Sequence, residues 1–83
     1  SSQRTKEASI GRQLAAYLMY VKLGLSPEEI GKILGNRDRS TITYAINRAK
    51  EALSTDSNFA HLLELVEKNI RESTKQVNNK KLA

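Results

Sequence analysis

Residues 26–53 read SPEEIGKILGNRDRSTITYAINRAKEAL. Ser26 is a good helix N-cap, Pro27 suits a first helical turn, and Glu29 completes an S-x-x-E capping box, so a helix is expected to start here. Ile30, Ile33 and Leu34 give that helix an apolar side. Gly35-Asn36 then stops it, because both tolerate the left-handed backbone of a tight turn. Asp38 is placed to cap a second helix, in which Ile42, Ala45, Ile46, Ala49 and Leu53 recur within about 100° of arc. Ser40, Thr43, Tyr44, Asn47 and Glu51 lie roughly opposite. A short capped helix, a tight turn and a longer helix with one greasy and one hydrogen-bonding face make the pattern of a helix-turn-helix.

Working outward, the spacing predicts a first helix from about Ser9 to Leu23, with Leu14, Tyr17, Leu18 and Val21 on its buried face. Gly24 followed by Leu25 looks like a glycine C-cap with a hydrophobic residue behind it. Ser54 to Ser57 reads as a polar linker. A last helix is expected from Asn58 to about Arg71, with Phe59, Leu62, Leu63, Val66 and Ile70 on one face. Tyr17 and Tyr20 read as packing residues and His61 as a surface residue. No stretch alternates in the manner of a strand. The expectation is an all-α fold: a small helical bundle of about four helices containing a helix-turn-helix. Residues 1–8 are expected to form a flexible N-terminal arm, 9–71 the folded domain, and 72–83 a basic tail or helix extension.

The bulk properties narrow the function. Eighty-three residues suggest one small domain. Lys plus Arg is 14 against 9 for Asp plus Glu, a net charge of +5 that favours a polyanion partner. There is no cysteine, which excludes disulfides and thiolate chemistry, and the lone His61 cannot make a metal cluster. No apolar run reaches the roughly 20 residues of a membrane span. No cofactor, metal, membrane association or enzymatic activity is expected, and the location expected is the cytoplasm, at the nucleoid.

The second helix of a helix-turn-helix enters the major groove with its N-terminal residues nearest the bases. Arg39 has the fork to bond guanine O6 and N7, and Asn47 the amide to read adenine. Ser40 and Thr43 can bond either bases or phosphate. Asp38 can cap the helix or accept from cytosine N4. Arg37, Arg48 and Lys50 flank the helix, where they can grip phosphates. Double-stranded DNA is thus the expected partner. A helical protein-interaction module remains the alternative class, since two helices joined by Gly-Asn also occur in bundles that bind no nucleic acid.

The segment EIGKILGNRDRSTITYA resembles the signature of the C-terminal DNA-binding domain of the bacterial replication initiator DnaA, which carries E-I-G, a glycine turn, then R-D-H-T-T, an apolar pair and Ala. Arg12-Gln13, followed by Leu14, Ala15 and Tyr17, is similar to that family's R-Q-x-A opening of the preceding helix. The resemblance covers about residues 9–71. It implies binding of short duplex boxes in replication initiation or its regulation. It places Asp38, Arg39 and Ser40 at base-reading positions and Arg12, Lys22, Arg37 and Thr41 at or near the phosphate backbone. Two departures stand out. Arg39 occupies the place of the family's His, so the preferred bases are expected to differ. Ile10 occupies the place of its minor-groove Arg, which leaves Arg4 or Lys6 in the arm as substitutes. No G-x-x-x-x-G-K-[ST] nucleotide loop occurs in these residues. The chain therefore reads as a fragment of an initiator, with other domains of a parent protein as further partners, or as a similar module borrowed by a transposase or phage protein.

Overall fold

A computed structural model of the chain describes residues 2–82, and the side chains of residues 2–77. It consists of four helices: α1 (Ser2–Leu23), α2 (Pro27–Ile33), α3 (Arg39–Thr55) and α4 (Ser57–Leu82). There is no strand among the described residues.

The joints are set by caps. Gly24 takes φ +66°, and the Leu25 N–H returns to the Met19 carbonyl at 3.2 Å, closing the end of α1. At the start of α2 the Ser26 N–H donates to Glu29 Oε1 at 3.0 Å, and the Glu29 N–H donates to Ser26 Oγ at 3.2 Å. A seven-residue helix is too short to stand alone in water, so this box and tertiary packing hold it. Gly35 (φ 81°) and Asn36 (φ 61°) make the left-handed turn.

Two clusters form the core. Leu14 and Leu18 of α1, Ala49 of α3, and Phe59 and Leu63 of α4 make the first. Ala16 of α1, Ile30 of α2, and Ile42 and Ile46 of α3 make the second. α3 contributes to both and is the keystone of the bundle. Full burial of a side chain such as Ile30 or Ile42 contributes roughly 1.5–3 kcal/mol, the main source of stability in so small a domain.

Several boundaries differ from the sequence expectation. Residues 2–8, expected as a flexible arm, are the first two turns of α1. Gln, Arg, Lys, Glu and Ala there are good helix formers, and no Gly or Pro interrupts them. The linker expected at 54–57 shrinks to Asp56, whose Oδ1 accepts from the Asn58 N–H at 3.0 Å and the Phe59 N–H at 3.3 Å, so it caps α4 directly. α4 then runs past Arg71 to Leu82, and its described residues 71–77 are all exposed.

Some expected core residues lie outside. Val21 is 53% and Ile33 57% exposed. α4 crosses towards Lys22 and Leu23 rather than Val21, and Leu34 packs on the second cluster in place of Ile33. Leu62 and Ile70 are also exposed, because it is Phe59, Leu63 and Val66 that α4 sends into the first core cluster. Tyr20, expected to pack, is 41% exposed and belongs to neither cluster, with the Lys50 ammonium 5.4 Å from its ring centroid. Tyr17 is half-buried against the first cluster, and His61 is exposed.

Candidate nucleic-acid interface

The apolar residues of α3 turn inward, which leaves Ser40, Thr41, Thr43, Tyr44, Asn47 and Arg48 exposed on the outer side. Asp38 and Arg39, at the helix start, are exposed as well. All five residues expected to read bases (Asp38, Arg39, Ser40, Thr43 and Asn47) therefore face solvent on or beside one helix. Tyr44 stands among them, 65% exposed, so it does not cover the core edge.

Asp38 caps α3. Its Oδ2 accepts from the Ser40 N–H at 3.1 Å and from the Ser40 hydroxyl. These hydrogen bonds, the hydroxyl first and the backbone second, hold the Asp38 carboxyl below the ordinary carboxylate range. The cap fixes the direction of Ser40 and holds the Asp38 carboxyl at the exposed start of the helix.

The turn is held by a close approach. The Arg37 N–H donates to the Gly31 carbonyl at 2.8 Å. A Cβ on Gly31 would lie 2.2 Å from the Arg37 carbonyl oxygen. Only glycine lets the turn fold back onto α2, and that contact sets where Asp38 and Arg39 leave the body. Sequence reading identified Gly31 only through resemblance; its physical role needs the fold to be seen.

Two shallow concavities flank the helix start. One is lined by Glu28, Lys32, Asn36, Arg37, Asp38 and Arg39. The other is lined by Ser26, Pro27, Glu28, Arg39 and Thr43. The first turn of α2 thus forms one wall of the candidate reading surface, a neighbourhood the linear sequence did not reveal.

The expected phosphate contacts are less uniform. Arg37 and Thr41 are exposed on the turn and on α3. Arg48 pairs with Glu51 at 3.5 Å, and both side chains are more than half exposed, so the pair yields easily. Arg12 is half-buried on α1. Lys22 lies 3.1 Å from Glu67 of α4. Among the described residues no ion pair engages Arg12, Arg37 or Arg39. Arg4 and Lys6 stand on a helix rather than an extended arm, because α1 begins at Ser2. Ile10 packs against the first core cluster and so serves the fold at that position.

Among the described residues no group of three His, Cys, Asp or Glu is arranged to hold a metal ion, and no helix is long and apolar enough to cross a membrane.

Comparison with known proteins adds a family. The model of the bacterial dnaA protein helix-turn-helix matches residues 1–49. The chromosomal replication initiator protein DnaA of Gluconobacter oxydans is 38% identical over 66 residues, covering 80% of this chain and 14% of that protein. Its namesake in Thermus thermophilus is 40% identical over 62 residues, covering 75% of this chain and 14% of that protein. The one in Thermomicrobium roseum is 42% identical over 53 residues, covering 64% of this chain and 11% of that protein. The chain thus spans about one-seventh of the length of the first of these relatives. No solved structure matches.

Proposed function

From the premise that this chain belongs to the bacterial DnaA helix-turn-helix family, we propose that it binds double-stranded DNA sequence-specifically, without enzymatic activity, in replication initiation or its regulation. The observation that carries the reading is the outer side of α3: Arg39, Ser40, Thr43 and Asn47 are exposed together beside a helix start that Asp38 fixes. Folding asks only that the side away from the core be polar; forked and amide donors clustered at one helix start are what a base-reading surface adds.

In this reading α3 lies in the major groove. Arg39 donates two hydrogen bonds to a guanine edge, and Asp38 accepts from a cytosine amino group. Ser40, Thr43 and Asn47 continue the contact along the groove. Arg12, Lys22, Arg37, Thr41 and Arg48 meet phosphates and supply most of the affinity, while the base contacts supply the choice of site. Arg39 in place of the family's His gives the target a base preference of its own. The protein is DNA-associated, and other domains of a parent protein are further partners.

Selection from a randomised duplex pool tests this directly. A single enriched motif, bound with an affinity that falls steeply between about 50 and 200 mM salt, is the expected result. No enrichment together with a flat salt response would remove the reading.

A second reading, as a helical protein-docking module, is favoured by one feature. An apolar groove of about 540 Å³ lies between the end of α1 and α4, lined by Leu18, Met19, Leu23, Val66 and Ile70 among others. Failure to bind heparin or any duplex near physiological salt would favour it.

A further inference from the structure

Lys22 stands in the last turn of α1, with its ammonium 3.1 Å from the Glu67 carboxylate of α4. The two partners differ in surroundings. The Lys22 side chain is 63% exposed, whereas Glu67 is 22% exposed and sits in the wall of the groove beside Val66 and Ile70. Glu67 is held in place, while the head of Lys22 is free to swing into solvent. A phosphate offers an ammonium the same thing a carboxylate does: anionic oxygens that accept charged hydrogen bonds. Arg71 follows Glu67 by four residues and lines the same groove. That is the spacing at which a glutamate meets a basic residue further along a helix. Glu67 therefore has a second cation within reach when Lys22 leaves.

We infer that Glu67 competes with DNA for Lys22 and so sets the affinity of the interface. The inference rests on the DNA-binding reading above and on Lys22 as one of its phosphate contacts. In the free protein Glu67 occupies the Lys22 ammonium. When a duplex docks, Lys22 exchanges the carboxylate for a phosphate oxygen, and Glu67 turns to Arg71. The exchange forfeits the original ion pair, so the chain binds less tightly than one whose residue 67 is neutral. General repulsion between a carboxylate and DNA predicts a different pattern, because it does not depend on Lys22. Glu64 supplies the control. It is exposed on α4, three residues before Glu67, and no ion pair among the described residues includes it.

The test is equilibrium binding of the full 83-residue chain to the duplex enriched in the pool selection. The variants are Glu67→Gln, Glu67→Ala, Glu64→Gln, Lys22→Met and the Lys22→Met/Glu67→Gln pair, each checked for its melting point and titrated at several salt concentrations. Glu67→Gln and Glu67→Ala are expected to tighten binding about two- to fivefold at low salt, the range of an exposed ion pair. The gain fades as salt screens the competition. Glu64→Gln is expected to change affinity by less than about twofold, since an exposed charge lacking a contact is largely screened. The double variant is expected to match Lys22→Met. An unchanged or weaker Glu67→Gln, an equal gain in Glu64→Gln, or a gain that survives loss of Lys22 would each overturn the competition while leaving DNA binding intact. A parent chain that binds no duplex would overturn both.

Discussion

The two sides of α3 obey different rules. On the inner side Ile42, Ile46 and Ala49 are sealed against α1, α2 and α4. On the outer side Ser40, Thr43, Tyr44 and Asn47 are exposed and belong to neither core cluster. The shape of this molecule selects the inner residues; in the proposed reading the chemistry of a partner selects the outer ones. Substitutions should therefore separate cleanly. Inner changes lower the melting point and weaken every duplex alike. Outer changes leave melting alone and alter which duplex is preferred.

The largest effect is expected inside. Ile42→Ala removes a side chain that is 1% exposed, at a cost of about 2–5 kcal/mol. In a domain of this size that lowers Tm by roughly 10–30 °C, read by circular dichroism. A drop below about 5 °C would mean that the inner side is not sealed as described.

Gly31→Ala comes next. The new methyl meets the Arg37 carbonyl at 2.2 Å, so the turn must shift, at a cost of about 1–3 kcal/mol. Because the turn also aims the start of α3, the variant should lose affinity on enriched and scrambled duplexes together. A variant with unchanged melting and binding would show that the turn does not depend on this approach.

Arg39→Ala should show the opposite signature. It is expected to leave Tm within about 2 °C, as surface substitutions do. It should cost about 1–3 kcal/mol of binding at one base pair only. Equal weakening on every sequence would move Arg39 to the phosphates and blur the contrast between the two sides.

The smallest effect concerns acid. The Glu29 carboxyl is held below its usual range by the Ser26 backbone N–H first and the Ser26 hydroxyl second, and Asp38 is held low by Ser40. Carboxyls depressed in the folded state stabilise it fully above their unfolded pKa of about 4, and that contribution is lost as pH falls through the lower folded values. The urea midpoint should therefore decline modestly below about pH 4. Glu29→Gln with Asp38→Asn should flatten that decline, and an equally steep decline in the double variant would assign it to other groups.

Much of this contrast was legible in the sequence because it is local. The capping box at Ser26–Glu29, the Gly35-Asn36 turn, the Asp38 cap and the inner stripe of α3 each depend on residues within a few positions of one another. What was not legible depends on how helices cross. Val21 and Ile33 continue an apolar pattern but lie where no helix covers them. Ile10, in the place of the family's arginine, is explained only by its packing against the first core cluster. The wall that Pro27 and Glu28 supply beside Arg39, and the hold of Glu67 on Lys22, join residues distant in the chain. Asp56 was a local signal missed: an Asp two residues before an apolar helix is a cap, and the polar run around it read as a linker.

The most direct test of the central claim is a base-by-base comparison of the duplex motifs enriched by the parent chain and by Arg39→His, which installs the residue the family carries at that position. The outer side of α3 as a reading surface predicts that the two motifs differ at one base pair, or two adjacent ones, and agree elsewhere, with equal melting points for the two proteins. Identical motifs, or none, would contradict it.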